Sequence, residues 1–202
     1  AEMTVMDPIS RPELTLPEAE AATLRAAYEH ANVILEYGSG GSTVMAGALP
    51  GKRIFSVEND KAWAQKMRQW FLDHPAAAGT SVDIIWSDTG ETKAWGYPND
   101  ATQYLRYPQY PLKVWDLEEF RHPDVVFVDG RFRTGCVLAT AFRTHRPVRV
   151  FVDDYLGREA YHSVEAFVGA PRMYGRMAEF NVEPLVINPE LLLDIIDMII
   201  RP

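Results

Sequence analysis

The run Val33-Ile34-Leu35-Glu36-Tyr37-Gly38-Ser39-Gly40-Gly41-Ser42-Thr43 decides the reading of this chain. Its first five residues form a short apolar stretch ending at a glycine, which is the pattern of a buried strand rather than of a helix. The strand runs directly into Gly-x-Gly, and Val44 to Leu49 then reads as a helix until Pro50-Gly51 ends it. A strand that closes in Gly-x-Gly and feeds a helix lets the backbone approach a ligand and aims free N–H groups at it, which suits an adenosine-containing cofactor.

Outward from this loop the same alternation continues. Pro17 opens a helix that reaches about Ala31, Arg53 to Val57 is a second strand, and Asp60 caps a helix carrying Ala64, Met67, Trp70 and Phe71 at helical spacing. Val82 to Trp86, Val125 to Val128 and Val148 to Val152 supply three more strands. Thr134 is expected to cap a helix stopping before Pro147. Tyr161 to Val168 reads as helix, Met177 to Val182 as a later strand, and Asn188-Pro189-Glu190 as the start of a terminal helix. Strands alternating with helices predict an α/β fold: a doubly wound, mostly parallel sheet flanked by helices. The length of 202 residues fits one domain over residues 1–202, with an N-terminal helix at about 17–31 and an irregular, aromatic-rich insertion at about 89–122.

The formal net charge of −8 gives no overall field that would draw the chain to nucleic acid or an anionic membrane. The longest apolar run, Leu191 to Ile200, is broken by Asp194 and Asp197, and Ala1 to Asp7 lacks the pattern of a secretory leader. A cytoplasmic protein without membrane or nucleic-acid partners is expected. Cys136 stands alone, and His30, His74, His122, His145 and His162 lack HExxH spacing, so disulfide and zinc chemistry are not expected.

Competing readings of the glycine loop differ residue by residue. A dinucleotide fingerprint wants Gly or Ala at the position of Thr43. A P-loop fails at Ala46 and at Lys52-Arg53, and a nucleophile elbow fails at Val44. Glu58 closes the second strand, where a carboxylate can accept hydrogen bonds from ribose hydroxyls. The bland alternatives are turn glycines and solvated strand-end caps.

Taken in order, Glu36-Tyr37-Gly38-Ser39-Gly40, Val57-Glu58-Asn59 and Ser87-Asp88 resemble the motifs of the class I, Rossmann-like methyltransferases that depend on S-adenosylmethionine (SAM). The resemblance covers about Pro17 to Tyr155. It implies that Gly38 and Gly40 line the methionine end of SAM, that Ser39 between them also belongs to the cofactor site, that Glu36 orients the SAM amino group through a hydrogen-bond network, that Glu58 holds the ribose, and that Asp88 faces the adenine amino group.

One internal echo sets Val126-Phe127-Val128-Asp129-Gly130 against Val150-Phe151-Val152-Asp153-Asp154. Two adjacent strands, about 4.8 Å apart, would bring Asp129 and Asp153 together at the ligand end of the sheet. Their repulsion would be resolved by a shared cation or by a raised pKa on one of them. A hard divalent ion is the natural tenant. The pair resembles the metal-dependent O-methyltransferases of catechol and macrocin type, which implies Mg2+ held by Asp129, Asp153 and Asp154 and a metal-activated acceptor hydroxyl. The chain departs from both types where they carry a further base, having Arg131 and Phe132 there. Arg131 and Arg133 are candidates to clamp an anionic acceptor, with surface salt bridges to Asp153 or Asp154 as the alternative.

The insertion carries Trp95, Tyr97, Tyr104, Tyr107, Tyr110 and Trp115. These rings could close over an acceptor as a lid, or cap the sheet edge, or make a homodimer contact. His162 is a candidate base, weighed against an ordinary exposed histidine. The function expected is SAM-dependent methyl transfer to an oxygen of a small or anionic acceptor, with Asp129, Asp153 and Arg131 carrying the chemistry. The alternatives are a non-catalytic binding or scaffold protein of the same fold and a nucleotide-dependent oxidoreductase.

Overall fold

The structure, a computed structural model, describes residues 9–202, so the reading of the first seven residues lies outside it. Seven strands form one sheet: β1 (Val33–Tyr37), β2 (Arg53–Glu58), β3 (Ser81–Trp86), β4 (Val125–Val128), β5 (Val148–Val152), β6 (Arg172–Tyr174) and β7 (Met177–Val182). Their spatial order is β3-β2-β1-β4-β5-β7-β6. The first five pair in parallel, while β7 runs antiparallel to both β5 and β6. The helices are α1 (Glu18–His30), α2 (Gly41–Gly47), α3 (Lys61–Asp73), α4 (Gln109–Leu112), α5 (Arg133–Arg143), α6 (Glu165–Val168) and α7 (Leu192–Ile199). Among the described residues no helix is long and apolar enough to cross a membrane.

Alternation along the buried strands distributes the core between two faces. Leu35, Tyr37, Phe55, Val57, Val126, Val128, Val150 and Val152 join Val137, Leu138 and Ala141 of α5 in one cluster. Ile34, Ile54, Val125, Phe127 and Phe151 face the other way, against Leu24, Ala27 and Tyr28 of α1 and Met45 and Ala46 of α2. Both faces of the central strands are therefore apolar. That is why they read as continuous hydrophobic runs rather than alternating ones.

Several local expectations need correction. Helix α2 starts at Gly41, not Val44, because Thr43 and Val44 already donate to the carbonyl of Gly40. Helix α5 starts at Arg133 behind a left-handed Phe132 (φ 56°), so Thr134 is no cap; its hydroxyl instead donates 2.7 Å to the carbonyl of Met198. The stretch from Tyr161 to Val168 divides into a 3-10 run, Glu159–Val164, and the single turn of α6. Asp60 does cap α3, accepting from the Trp63 amide at 3.0 Å. The short β6 has no interior hydrophobic pattern that could have announced it.

Candidate functional site

The connections leave β1 toward β2 and β3 on one side and β4 toward β5 on the other, so the order reverses between β1 and β4. Ligands in open α/β sheets sit outside the carboxyl ends of the strands at such a point. Here the turns after β1 and β4 press together. Gly38 has φ 101°, and a side chain on it would fall 2.8 Å from the Gly130 nitrogen and 2.9 Å from the Asp129 carbonyl carbon. Glycine at 38 is thus demanded by the approach of two protein turns. At Gly40 a Cβ would meet nothing within 4 Å. Beside it lies a cavity of about 300 Å3, bordered by Gly38 to Ser42, Glu58, Trp63, Trp95 and Asp129 to Arg131.

Glu36 lies beneath this loop and is fully buried. One of its oxygens accepts from Tyr28 at 2.7 Å; the other accepts from Thr43 at 2.5 Å and from Ser56 at 3.2 Å. Thr43 also accepts from the Gly40 amide at 3.0 Å, so Glu36 braces the loop through Thr43. Burial raises the Glu36 carboxyl above its ordinary value, opposed by the hydroxyls that donate to it. Thr43, the residue that spoils the dinucleotide fingerprint, is the pivot of this network.

Glu58 borders the cavity directly. Its carboxylate accepts from the Ser39 amide at 3.1 Å and the Asp60 amide at 2.9 Å, tying the ends of β1 and β2 together. Burial pushes it up to about 6, against the pull of those two amides. The Trp63 indole donates 2.7 Å to the Ser39 carbonyl and sets an aromatic wall beside the loop. Asn59 reaches across to the insertion, donating to Thr89 Oγ1 at 3.0 Å and to the Gly96 carbonyl at 2.8 Å.

That contact brings part of the insertion to the cavity mouth. Trp95, left-handed at φ 63°, exposes 85% of its surface there, and a non-glycine residue in that region is strained. Tyr97 lies under Arg131, its ring centre 4.0 Å from the guanidinium carbon. Tyr107, Tyr110, Val114 and Trp115 instead belong to the core. The Trp115 indole donates to Tyr37 at 2.9 Å, and Tyr37 donates to the Pro111 carbonyl at 2.7 Å. The insertion thus caps the sheet with its second half and borders the cavity with its first.

Asp88 is placed differently. It accepts from the Gly90 amide at 2.9 Å and pairs with Arg106, and it lines a larger, open hollow of about 800 Å3. Asp60 borders both this hollow and the glycine-loop cavity, so the two adjoin.

The expected juxtaposition of β4 and β5 is present, with Val128 paired to Val152, and the strand-end carboxylates are each paired with an arginine. Arg176 takes both oxygens of Asp153, at 3.1 and 3.0 Å. Asp154, left-handed at φ 52°, is paired with Arg158 at 3.0 Å. Asp129 faces Arg133 at 3.5 Å. Each member of the expected Mg2+ triad has its own guanidinium. Among the described residues no group of three or more His, Cys, Asp or Glu side chains is placed to hold a metal. Repulsion between the strand-end aspartates is relieved by these arginines and by a raised pKa: burial pushes Asp129 up to about 7, Arg133 opposes that, and Asp153 adds to it.

The two arginines of the β4 turn separate. Arg133 donates to the Gly130 carbonyl at 3.0 Å and to the Asp153 carbonyl, so it stitches β4 to β5. Arg131 is buried on the cavity wall. His162, a candidate base weighed against an ordinary histidine, bonds the Tyr155 carbonyl at 2.9 Å and does not border the cavity. Sequence reasoning quoted Asn59 within the motif of Glu58 without giving it a role, and passed over Trp63 and the segment Glu13 to Thr15, all of which border the cavity. Trp63 lies one helical turn beyond the quoted Glu58 and Asn59, so its proximity was a usable signal. Nothing in the N-terminal segment announces that its backbone packs against Gly41, where a Cβ would collide with the Leu14 nitrogen.

No protein-family model matches the chain. No curated protein does either. Among solved structures, a methyltransferase-like protein from Silicibacter pomeroyi is similar at 57% identity, over 95% of this chain and 99% of that one, with a TM-score of 0.93. Cofactor-bound Rv0187 from MTB is 17% identical over 87% of this chain and 85% of that one, with a TM-score of 0.56. A candidate O-methyltransferase from Klebsiella pneumoniae is 15% identical over 86% and 84%, with a TM-score of 0.54. The last two likenesses are of fold. The first extends to the sequence along almost the whole of both chains, and together with this sheet order and glycine loop it places the chain in the class I, Rossmann-like methyltransferase family.

Proposed function

We propose that this protein binds SAM at the β1–β4 switch point and transfers its methyl group to an oxygen of a small-molecule acceptor. The observation that carries this reading is the cavity itself: a glycine loop braced from below by Glu36, with Glu58 at the end of β2 and Asp129 at the end of β4 on its walls. The residues present fit the cofactor. Gly40 leaves open space beside the loop, Glu58 keeps lone pairs for ribose hydroxyls beyond the two amides it accepts, and Trp63 offers an aromatic face. Glu13, Glu58, Asp60 and Asp129 give the cavity an acidic lining, which favours a ligand with positive charge at its centre. The adjoining hollow, with Trp86 and Asp88, has room for a base.

When bound, SAM supplies a methyl group activated by its positively charged sulfur. Asp129 is the group on this wall suited to hold the proton that the acceptor hydroxyl gives up as its oxygen takes the methyl. A carboxyl held near 7 is poised to accept a proton at neutral pH. Arg133 fixes the β4 turn that carries Asp129, and Tyr97 with Trp95 narrows the mouth. Most of the acceleration would come from positioning.

The test is thermal melting with SAM, S-adenosylhomocysteine (SAH) and NAD. Stabilisation by SAM and SAH but not NAD supports the reading. Stabilisation by NAD alone would return the chain to the oxidoreductase alternative, and tight SAH binding without turnover on an acceptor panel would favour the scaffold alternative.

A further inference from the structure

Among the described residues only two buried side-chain polar atoms lack a hydrogen-bond partner, Arg131 Nε and the Tyr110 hydroxyl. Both belong to one place. A Cβ on Gly130 would collide with the Tyr110 oxygen, and Arg131 is the next residue along the same turn. Native proteins satisfy nearly all such groups, and an unmet donor on a charged side chain costs more than one on a neutral side chain. Arg131 is 7% exposed, with its guanidinium carbon 4.0 Å from the centre of the Tyr97 ring, and forms no salt bridge among the described residues. Each of the three arginines at the neighbouring strand-end aspartates, Arg133, Arg158 and Arg176, has a carboxylate. Arg131 is also the one cation among the described residues lining the glycine-loop cavity, facing four acids.

We propose that Arg131 is an oxyanion seat built into the cavity, taking a carboxylate or phosphate group of the bound ligand on its guanidinium N–H groups. Those N–H groups form a planar fork that matches the two oxygens of such a group, and among the described residues no carboxylate occupies it. The inference rests on the SAM reading only for where the ligand lies. The oxyanion has two sources: the amino-acid end of the cofactor, or the acceptor.

The experiment compares the wild type with Arg131→Met, which keeps the apolar stem on Tyr97, and with Arg131→Lys, which keeps the charge without the fork. Calorimetry measures binding of SAH, of 5′-deoxy-5′-methylthioadenosine, which lacks the amino-acid end, and of acetate and inorganic phosphate to the SAH-saturated protein. If the seat serves the cofactor, Arg131→Met weakens SAH by about tenfold or more and leaves methylthioadenosine unchanged. If it serves the acceptor, both nucleosides bind as before and the wild type's affinity for acetate or phosphate is lost in the variant. In either case Arg131→Lys falls between. Unchanged SAH affinity in Arg131→Met, together with oxyanion binding that is absent or equal in the two proteins, overturns the proposal. Binding of methylthioadenosine reports that a variant is folded; if Arg131→Met fails to fold, Arg131→Lys carries the comparison. If neither nucleoside binds the wild type, the SAM reading fails, and acetate and phosphate binding to the unliganded wild type and variants decides the seat by the same criteria.

Discussion

Replacing Asp129 by Asn tests whether the end of β4 stores an electrostatic cost. The folded protein holds this carboxyl near 7, against an ordinary value of 3.8. Folding therefore tightens its grip on the proton. The stability this gives is complete below about pH 4, declines as pH rises, and is gone once pH passes the folded value of about 7. At 1.36 kcal/mol per pH unit the whole gap would be worth roughly 4 kcal/mol, and water relaxation around a carboxyl that borders a cavity brings that to about 2 kcal/mol. The amide that replaces it has the same shape and no charge to bury. Asp129→Asn should therefore melt above the wild type at pH 8, by roughly 4–8 °C for a domain of this size, and by less than half of that at pH 5. Differential scanning calorimetry of both proteins from pH 5 to pH 8 reads the gap. Glu58, also raised, is present in both proteins and cancels. A gap that does not widen with pH, or a wild type that is the more stable at pH 8, would refute the reasoning. On the proposed mechanism the same variant should lose on the order of 10²-fold or more in kcat for methyl transfer.

Glu58→Gln should weaken SAH binding by roughly 1–3 kcal/mol in calorimetry, the range for hydrogen bonds to a charged group, and an unchanged affinity would remove Glu58 from the cofactor site. Gly38→Ala should cost several kcal/mol in urea unfolding, because its φ of 101° and the backbone of Asp129 and Gly130 at 2.8–2.9 Å leave no place for a methyl; a loss under about 1 kcal/mol would show that the two turns can part. Gly40→Ala should leave stability within about 0.5 kcal/mol while impairing SAH binding, since its methyl would stand in open space beside the cavity. Asp153→Asn should lower stability by about 1–3 kcal/mol through Arg176, which also donates 3.2 Å to the Thr15 carbonyl, and an unchanged unfolding midpoint would show that this pair does not hold the N-terminal segment.

The sheet was legible because burial on both faces fills β1, β2, β4 and β5 mostly with apolar residues, and a short, mainly apolar run ended by Gly or an acid has few other readings. The glycine loop was legible for a related reason. Gly38 sits where only glycine can, its φ of 101° and the adjoining β4 turn both excluding a side chain, and that demand survives as a spacing in the chain. The metal triad, which no grouping of side chains among the described residues supports, stands at the opposite extreme. Asp129, Asp153 and Asp154 were placed correctly at adjacent strand ends, but a carboxylate's role depends on which cation reaches it, and the cations come from elsewhere. Arg176 stands 23 residues beyond Asp153, on the hairpin between β6 and β7 whose first strand has no sequence signal. Arg133 was visible beside Asp129, and an i, i+4 pair at the start of α5 is local enough to have been read. Two neighbouring aspartates have two ways out of their repulsion, a shared cation or a raised pKa. The fold gives each aspartate an arginine, and it raises the pKa of Asp129 chiefly by burial with Asp153 adding to it; under the proposed function this is what suits Asp129 to take the proton where Arg131 and Phe132 offer no base.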